Sequence, residues 1–361
     1  MRSRKKCVCI NAINPLEGAI MRIVIIGSGI AGITFAEKMH TLNQGAEITV
    51  LTKETDGYYS RPILSHGFSK QDIEQSIIMK TFAQLEQNGI HIISGTEVTA
   101  IDRKQRTLTI SGGDDVVATL NYDQLILAQG SAAFIPPPFL TYRNQFYVFN
   151  SLTDLKLLRK FRHSVREHNK SLSWAIIGGG LIGCELASDL NAAGDQVTIF
   201  HAMDRLMERQ LVAEDSLNLL KHFQSCGVNI LLDQAVQSFE HQGDKVSVLI
   251  KDTAENKGYD AVIVSCGFKP RTELAEDAGL ETSRGIRVNN FLQTNDENIY
   301  ALGDVAQLPD EKIYAFIMPI RSQALWLAAY LNGDITEPWS PPVFNPKAKV
   351  HGFTAEHPYI F

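Results

Sequence analysis

The segment Met21–His40, MRIVIIGSGIAGITFAEKMH, comes back in altered form at Trp174–Leu190, WAIIGGGLIGCELASDL. This repetition constrains the fold more than any other feature of the chain. In the first copy Arg22–Ile26 is a short β-branched run, the pattern of a strand buried on both faces of a parallel sheet. It leads into Gly27-Ser28-Gly29-Ile30-Ala31-Gly32. In such a turn the first glycine bends the chain, the second lets the backbone approach a pyrophosphate, and the third lets a helix sit close to the strand. Ile30–His40 is predicted to be that helix, whose N-terminal amides and dipole favour phosphate. The following strand, in AEITVLTKE, ends near Glu54, where an acid can accept hydrogen bonds from ribose hydroxyls.

The second copy repeats the logic. Ser173–Ile177 reads as the strand, Gly178-Gly179-Gly180-Leu181-Ile182-Gly183 as the loop, and Leu181–Leu190 as the helix. The next strand, DQVTIFH, ends at His201, which stands where the acid would be, with Arg205 and Arg209 following. That weakens a 2′-hydroxyl contact and leaves both NADH and NADPH open, with NADH slightly favoured by the resemblance given below. Each copy is followed by alternating strands and then by a strand ending in glycine. These are YDQLILAQG, closing at Gly130, and YDAVIVSCGFKPR, containing Gly267. The period of about 130–150 residues is too long for a solenoid and fits two α/β domains of similar plan. One nucleotide needs one such site, so two sites imply two nucleotides and electrons passed between them.

Pro136-Pro137-Pro138 is expected to be a rigid, extended break where the chain crosses into the second nucleotide domain. Near the end, TNDENIYALGDVAQ delivers Gly303-Asp304 at a strand tip, suited to a ligand hydroxyl or a phosphate-bearing chain. MPIRSQALWLAAYLNG then reads as a helix with Pro319 in its first turn and Gly333 as its stop.

A formal net charge of −6 offers no global positive field for nucleic acid. No run approaches the ~18 apolar residues of a membrane span. Residues 1–20 lack the apolar core and cleavage site of a secretory signal; they are expected to be a disordered extension, or to precede a working start at Met21. The five cysteines, Cys7, Cys9, Cys184, Cys226 and Cys266, are an odd and sparse set. That argues against a disulfide framework and for the cytoplasm. Cys7 and Cys9 have no visible partners, and no metal site is expected.

The two glycine loops, YDQLILAQG and TNDENIYALGD, taken in order, resemble the FAD-dependent pyridine nucleotide oxidoreductases, a family with two dinucleotide-binding domains. The likeness covers about Met21–Gly333. It implies an α/β fold with two Rossmann-like domains of the glutathione-reductase type. FAD would lie on a discontinuous domain, residues 21–134 and 265–333, and NAD(P)H on an inserted domain, residues 135–264. Residues 334–361 would be a shortened C-terminal region, and the protein a monomer or homodimer. The resemblance assigns Gly27, Gly29, Ile30, Ala31, Gly32, Glu54, Arg61, Gly130, Gly303, Asp304 and Pro319 to cofactor binding on the FAD side. It assigns Gly178, Gly180, Leu181, Ile182, Gly183, Glu185, His201 and Gly267 to the nicotinamide side. Gln129 departs from the usual Thr before Gly130, without changing the strand-end backbone.

The branches of this family differ in where electrons leave the flavin. Its disulfide reductases need two cysteines separated by two or four residues, and none follows the first loop. Its peroxidases and oxidases carry one cysteine in a segment like RPILSHGFS, where this chain has His66, and a sulfenate cycle needs sulfur. YYSRPILSHGFS and GGGLIGCELASDL are most similar to the rubredoxin and flavorubredoxin reductases. Ferredoxin reductases of oxygenase systems, which usually carry Lys at the position of His66, are one alternative. A redox switch resembling apoptosis-inducing factor is the other. The resemblance implies hydride transfer from NAD(P)H to flavin, then single electrons to a small acidic carrier such as rubredoxin, steered by local Lys and Arg. It places Glu185 at the flavin–nicotinamide junction, with Arg61 as its expected cation and His66 in reserve. Cys184 is expected in helix packing and Cys266 in a buried strand.

Overall fold

The computed structural model describes residues 8–9, 20–112, 117–167, 171–250 and 257–360. In chain order its main elements are β1 (Arg22–Ile26), α1 (Ile30–Leu42), β2 (Glu47–Leu51), β3 (Gln124–Leu127), β4 (Ser173–Ile177), α2 (Leu181–Ala192), β5 (Gln196–Phe200), β6 (Ala261–Val264), β7 (Ile299–Ala301) and α3 (Ile317–Leu331). They form two compact units. The first holds the described residues within 1–59, 78–131 and 270–344, and the second those within 60–77, 132–269 and 345–361.

Each unit is built on a five-stranded, all-parallel sheet. The first sheet runs β7, β3, β1, β2 and His91–Ile93. The second runs Tyr147–Val148, β6, β4, β5 and Asn229–Leu231. In both, the central strand feeds a glycine loop and pairs with the next strand from its first residue, Arg22 opposite Glu47 and Ser173 opposite Gln196. After that first residue these central strands are hydrophobic and buried, because helices and other elements cover both faces. Ile23, Ile25, Trp174 and Ile176 are fully buried, each contributing roughly 1.5–3 kcal/mol of apolar transfer for a side chain of this size. Each unit also carries an antiparallel ladder. In the first it is Glu97–Asp102, Thr107–Ser111 and Val117–Asn121; in the second, Val236–Gln242, Lys245–Ile250 and Gly258–Tyr259. The duplication read from the sequence is therefore a duplication of architecture.

Some expectations need correction. Pro136–Pro138 is not an extended break: Pro137–Gln145 forms a 3-10 segment, for which proline's fixed φ and missing N–H suit the first turn. The crossings lie at 131/132 and 269/270, where 134/135 and 264/265 were expected. The segment 60–77 belongs to the second unit, because Phe68 is buried against Phe149 and Trp174, at ring distances of 5.9 and 6.3 Å, and Gly67 sits on Leu155. Residues 345–360 also pack on the second unit rather than standing apart. The expected extension, residues 1–20, with Cys7, lies outside the described residues except for Ile20 and the backbone of Val8–Cys9. That backbone pairs in parallel with Ala118–Thr119. Among the described residues no helix is long and apolar enough to cross a membrane.

Candidate functional site

The first site grows from the end of β1. Gly27 adopts φ +115°, and a Cβ there would lie 2.3 Å from the Ala128 carbonyl oxygen, so only glycine fits. Its N–H donates to Leu51 O at 2.8 Å. A Cβ on Gly32 would lie 2.0 Å from Gly27 O, which keeps α1 close on the loop. Gly29, the residue before α1, has nothing within 4 Å of its Cβ position. The loop is thus tight where it meets the protein and open where a phosphate would approach, beside the free amides of Ile30 and Ala31 at the helix start. A Cβ on Gly303 would lie 3.2 Å from the Ala31 side chain and 3.6 Å from that of Ile320, which follows Pro319 in the first turn of α3. The Gly303 N–H donates to the buried Gln323 at 2.7 Å. Ser131, next to Gly130, donates to Asp304 Oδ2 at 2.8 Å. Glu54 accepts from Tyr59 Oη at 2.9 Å and from the loop side is held by Thr52, whose Oγ1 receives the Glu54 N–H and bonds Ser28. The structure therefore brings Gly27, Gly29, Ala31, Gly130, Gly303, Asp304 and Pro319 around one loop, with Glu54 beyond the end of β2.

The second site is nearly superimposable in its local rules. Gly178 has φ +116°, its Cβ would lie 2.3 Å from Ser265 O, and its N–H donates to Phe200 O at 2.8 Å. Gly180 is open and Gly183 abuts Gly178 O at 2.0 Å. Leu181 and Ile182 begin α2, and Gly267 follows β6 with open space on its Cα. The strand end differs. His201 is buried; its Nδ1 accepts the Gly179 N–H at 3.0 Å and its Nε2 faces Glu208 Oε2 at 3.1 Å. Arg205 donates to the Glu208 carbonyl at 3.2 Å, and the exposed Arg209 lies 3.6 Å from the Glu208 carboxylate.

Glu185, two residues past Gly183, is buried on α2. The cation that meets it is neither Arg61 nor His66. Lys349 supplies both its Nζ, at 2.6 Å, and its backbone N–H, at 2.9 Å. Arg61 donates to Asn150 O at 2.7 Å, and His66 Nδ1 faces Asp189 Oδ1 at 3.2 Å. Lys349 was missed because the tail that carries it has no periodic pattern. A signal existed all the same. Glu185 and Asp189 are spaced i, i+4 on a helix, about 6 Å along its axis. Lys349 and His351 are spaced i, i+2 in the irregular tail, a step that spans up to about 6.6 Å when extended. The two spacings match, and His351 N–H also donates to Ser188 Oγ at 2.8 Å.

Neither Cys184 nor Cys266 is poised for redox work. Burial pushes the Cys184 thiol far above its ordinary range and that of Cys266 up to about 11, and thiolates are the reactive form. Cys184 packs in α2 with its thiol toward Gly179 O, as expected. Cys266 is half-buried just after β6 rather than within a strand.

Two phosphate-type loops on two parallel sheets define an oxidoreductase architecture for two dinucleotides. The chain belongs to the pyridine nucleotide-disulphide oxidoreductase family, whose signature matches residues 21–330. It is 32% identical over 316 residues to the rubredoxin-NAD(+) reductase of Alcanivorax borkumensis, covering 87% of this chain and 80% of that protein. It is 35% identical over 319 residues to the nitric oxide reductase FlRd-NAD(+) reductase of Aliivibrio fischeri, covering 87% and 79%. Among solved structures, the covalent putidaredoxin reductase–putidaredoxin complex matches with a TM-score of 0.82 at 27% identity, covering 93% of this chain and 80% of that one. The ferredoxin reductase for the CYP199A2 system from Rhodopseudomonas palustris matches with a TM-score of 0.78 at 25% identity, covering 90% and 78%.

Proposed function

We propose that this protein is an FAD-dependent NADH:rubredoxin reductase. The observation that carries the reading is the pair of open glycine loops, each with a Cβ-sized gap at its second glycine, in a chain about one third identical to a rubredoxin-NAD(+) reductase. FAD suits the first loop: Gly29 admits the pyrophosphate, Glu54 the ribose, and Asp304 the chain between phosphate and ring. The nicotinamide dinucleotide suits the second, at Gly180. Bound flavin takes electrons as a pair and releases them singly.

The residues of this chain would bind, orient and hold charge. Glu185, with Lys349 as its counter-ion, is assigned to positioning the nicotinamide. Arg61, which donates to Asn150 O, and His66, which meets Asp189, both lie in the second unit with Glu185. NADH is favoured over NADPH because Arg205 and Arg209 are both turned to Glu208, and the Glu208 carboxylate beside His201 would repel a 2′-phosphate. The acceptor is a small electron carrier. The structural likeness to putidaredoxin reductase and to a ferredoxin reductase makes an iron–sulfur ferredoxin the second candidate.

The test is steady-state turnover of the purified yellow protein with NADH, using rubredoxin and a [2Fe–2S] ferredoxin in parallel. Faster reduction of rubredoxin supports the reading. Preference for the ferredoxin would move the assignment to the second candidate. A colourless protein, or one reduced by NADH that reduces neither carrier, would remove both.

A further inference from the structure

We propose that His66, Asp189 and His351 form a site for one late first-row divalent cation, zinc being the reference ion, which clamps the C-terminal tail onto α2. The three residues come from the 3-10 segment Arg61–Gly67, from α2 and from the tail, all within the second unit. One ligand atom from each lies within 4.8 Å of the others. His351 Nε2 is 2.9 Å and His66 Nδ1 is 3.2 Å from the same oxygen, Asp189 Oδ1. In a tetrahedral zinc site with bonds of about 2.0–2.2 Å, ligand atoms stand about 3.3–3.5 Å apart. The two histidine–carboxylate distances already fall near that spacing. Only the imidazole–imidazole separation has to close, and His351, about half exposed on the tail, is the partner able to move. Its exposed side leaves a fourth position for water.

Charge supplies the second argument. The Asp189 side chain is fully buried, and its other oxygen, Oδ2, has no donor among the described residues. Ser65 Oγ lies close enough to help keep the carboxyl ionised, yet outside hydrogen-bond geometry to it. Ser69 Oγ adds a third donor at 2.9 Å, again to Oδ1. The donors around Asp189 are hydroxyls and imidazoles. With both imidazoles neutral, a full negative charge is left buried with no compensating cation, which is costly. Lys349 does not relieve it, because it is bonded to Glu185. A divalent ion bound by one carboxylate and two neutral imidazoles balances that charge, gives Oδ2 a role, and has the ligand chemistry that suits zinc, cobalt or nickel. The chain's register favours the same geometry: Lys349 on Glu185 and His351 N–H on Ser188 fix the tail so that the His351 ring faces Asp189.

The experiment uses the full chain, flavin-loaded, stripped with chelator and dialysed, and titrated with Zn2+ by calorimetry at pH 7.5. A parallel Co2+ titration is read in the visible region beyond the flavin band. The expected result is one equivalent bound, with affinity at least 50-fold weaker in His351→Ala and in Asp189→Asn, and unchanged in His163→Ala, an exposed histidine paired with Glu167. His351→Ala removes a partly exposed ring on the tail, so it answers the question even if Asp189→Asn fails to fold. Binding should weaken by at least tenfold at pH 5.5, where protons compete for the imidazoles. Zinc affinity in His351→Ala equal to wild type, or no saturable binding up to 100-fold excess of Zn2+, would overturn the proposal.

Discussion

The two glycine loops follow one set of rules, and the residues behind them differ. Gly27 and Gly178 share a backbone angle, a neighbouring carbonyl 2.3 Å from the forbidden Cβ, and an N–H bonded to the end of the next strand. Gly29 and Gly180 are both open, and Gly32 and Gly183 both touch the first glycine's oxygen. The difference begins one turn into the helix. Where α1 carries Thr34 and Lys38, α2 carries Glu185 and Asp189 at the equivalent positions, both buried. A loop built to cradle phosphate is generic. The acids behind it are specific, because burying them requires partners, and here the partners come from the tail and, for Asp189, also from His66 and Ser69. The strand ends diverge in the same way. Glu54 presents a carboxylate, whereas His201 is spent on the loop's own Gly179 N–H.

The open glycines are where the two loops should respond most differently. Gly29→Val adds a side chain into empty space, so the fold should survive while the phosphate cradle fills. We expect flavin content to fall at least tenfold. Gly180→Val should leave the protein yellow and raise KM for NADH at least tenfold, read by absorbance and steady-state kinetics. Equal effects of both changes on flavin content would mean the loops are not specialised. Next in size, Glu185→Gln should slow flavin reduction about tenfold with FAD retained, and Lys349→Ala should slow it by a smaller factor through the same carboxylate. A stopped-flow trace unchanged in Glu185→Gln would take this residue out of the mechanism. Glu208→Arg should raise the NADPH to NADH ratio of kcat/KM about tenfold, or ~1.4 kcal/mol, by replacing a repelling charge with an attracting one.

Acid should release the tail. Burial opposes the ionisation of Asp189, yet hydrogen bonds from His351, His66 and Ser69 outweigh it, and its carboxyl titrates below the ordinary 3.8. Asp215 is shifted the same way: burial again opposes its charge and is outweighed by the N–H groups of Glu356 and His357 and by the His357 ring. Groups with depressed pKa values stabilise the folded state fully above the unfolded value. That stability is lost as pH falls below about 3.8 through the folded values. The urea midpoint should therefore drop between pH 5 and pH 3, and less so in Asp215→Asn. An identical drop in the variant would remove the tail from the account. The smallest expected effect is on carrier encounter: the rate of rubredoxin reduction should fall several-fold from 50 to 300 mM salt, as local basic steering is screened.

The loops, their strands and their helices were legible because each rests on contacts close in sequence. Glycine spacing fixes the turn, and apolar runs fix the strand. Gly303-Asp304 was legible for the same reason, as a strand tip closed by glycine. What could not be read depends on contacts distant in the chain. Lys349 meets Glu185 across more than 160 positions, and the tail that brings it has neither helical nor alternating pattern. The placement of 60–77 in the second unit hangs on Phe68 finding Phe149 and Trp174, a match of shape rather than of periodicity. His201 was read for its missing acid, and its hydrogen bond to Gly179 needed coordinates.

Sequential-mixing stopped flow tests the electron relay most directly. The yellow protein is first mixed with NADH or NADPH under anaerobic conditions, then with oxidised rubredoxin, and flavin absorbance is followed near 450 nm. The expected result is rapid bleaching, faster with NADH, followed by rapid recovery of colour as rubredoxin is reduced. Bleaching that persists in the presence of rubredoxin would contradict the relay from the second loop through the first to a carrier protein.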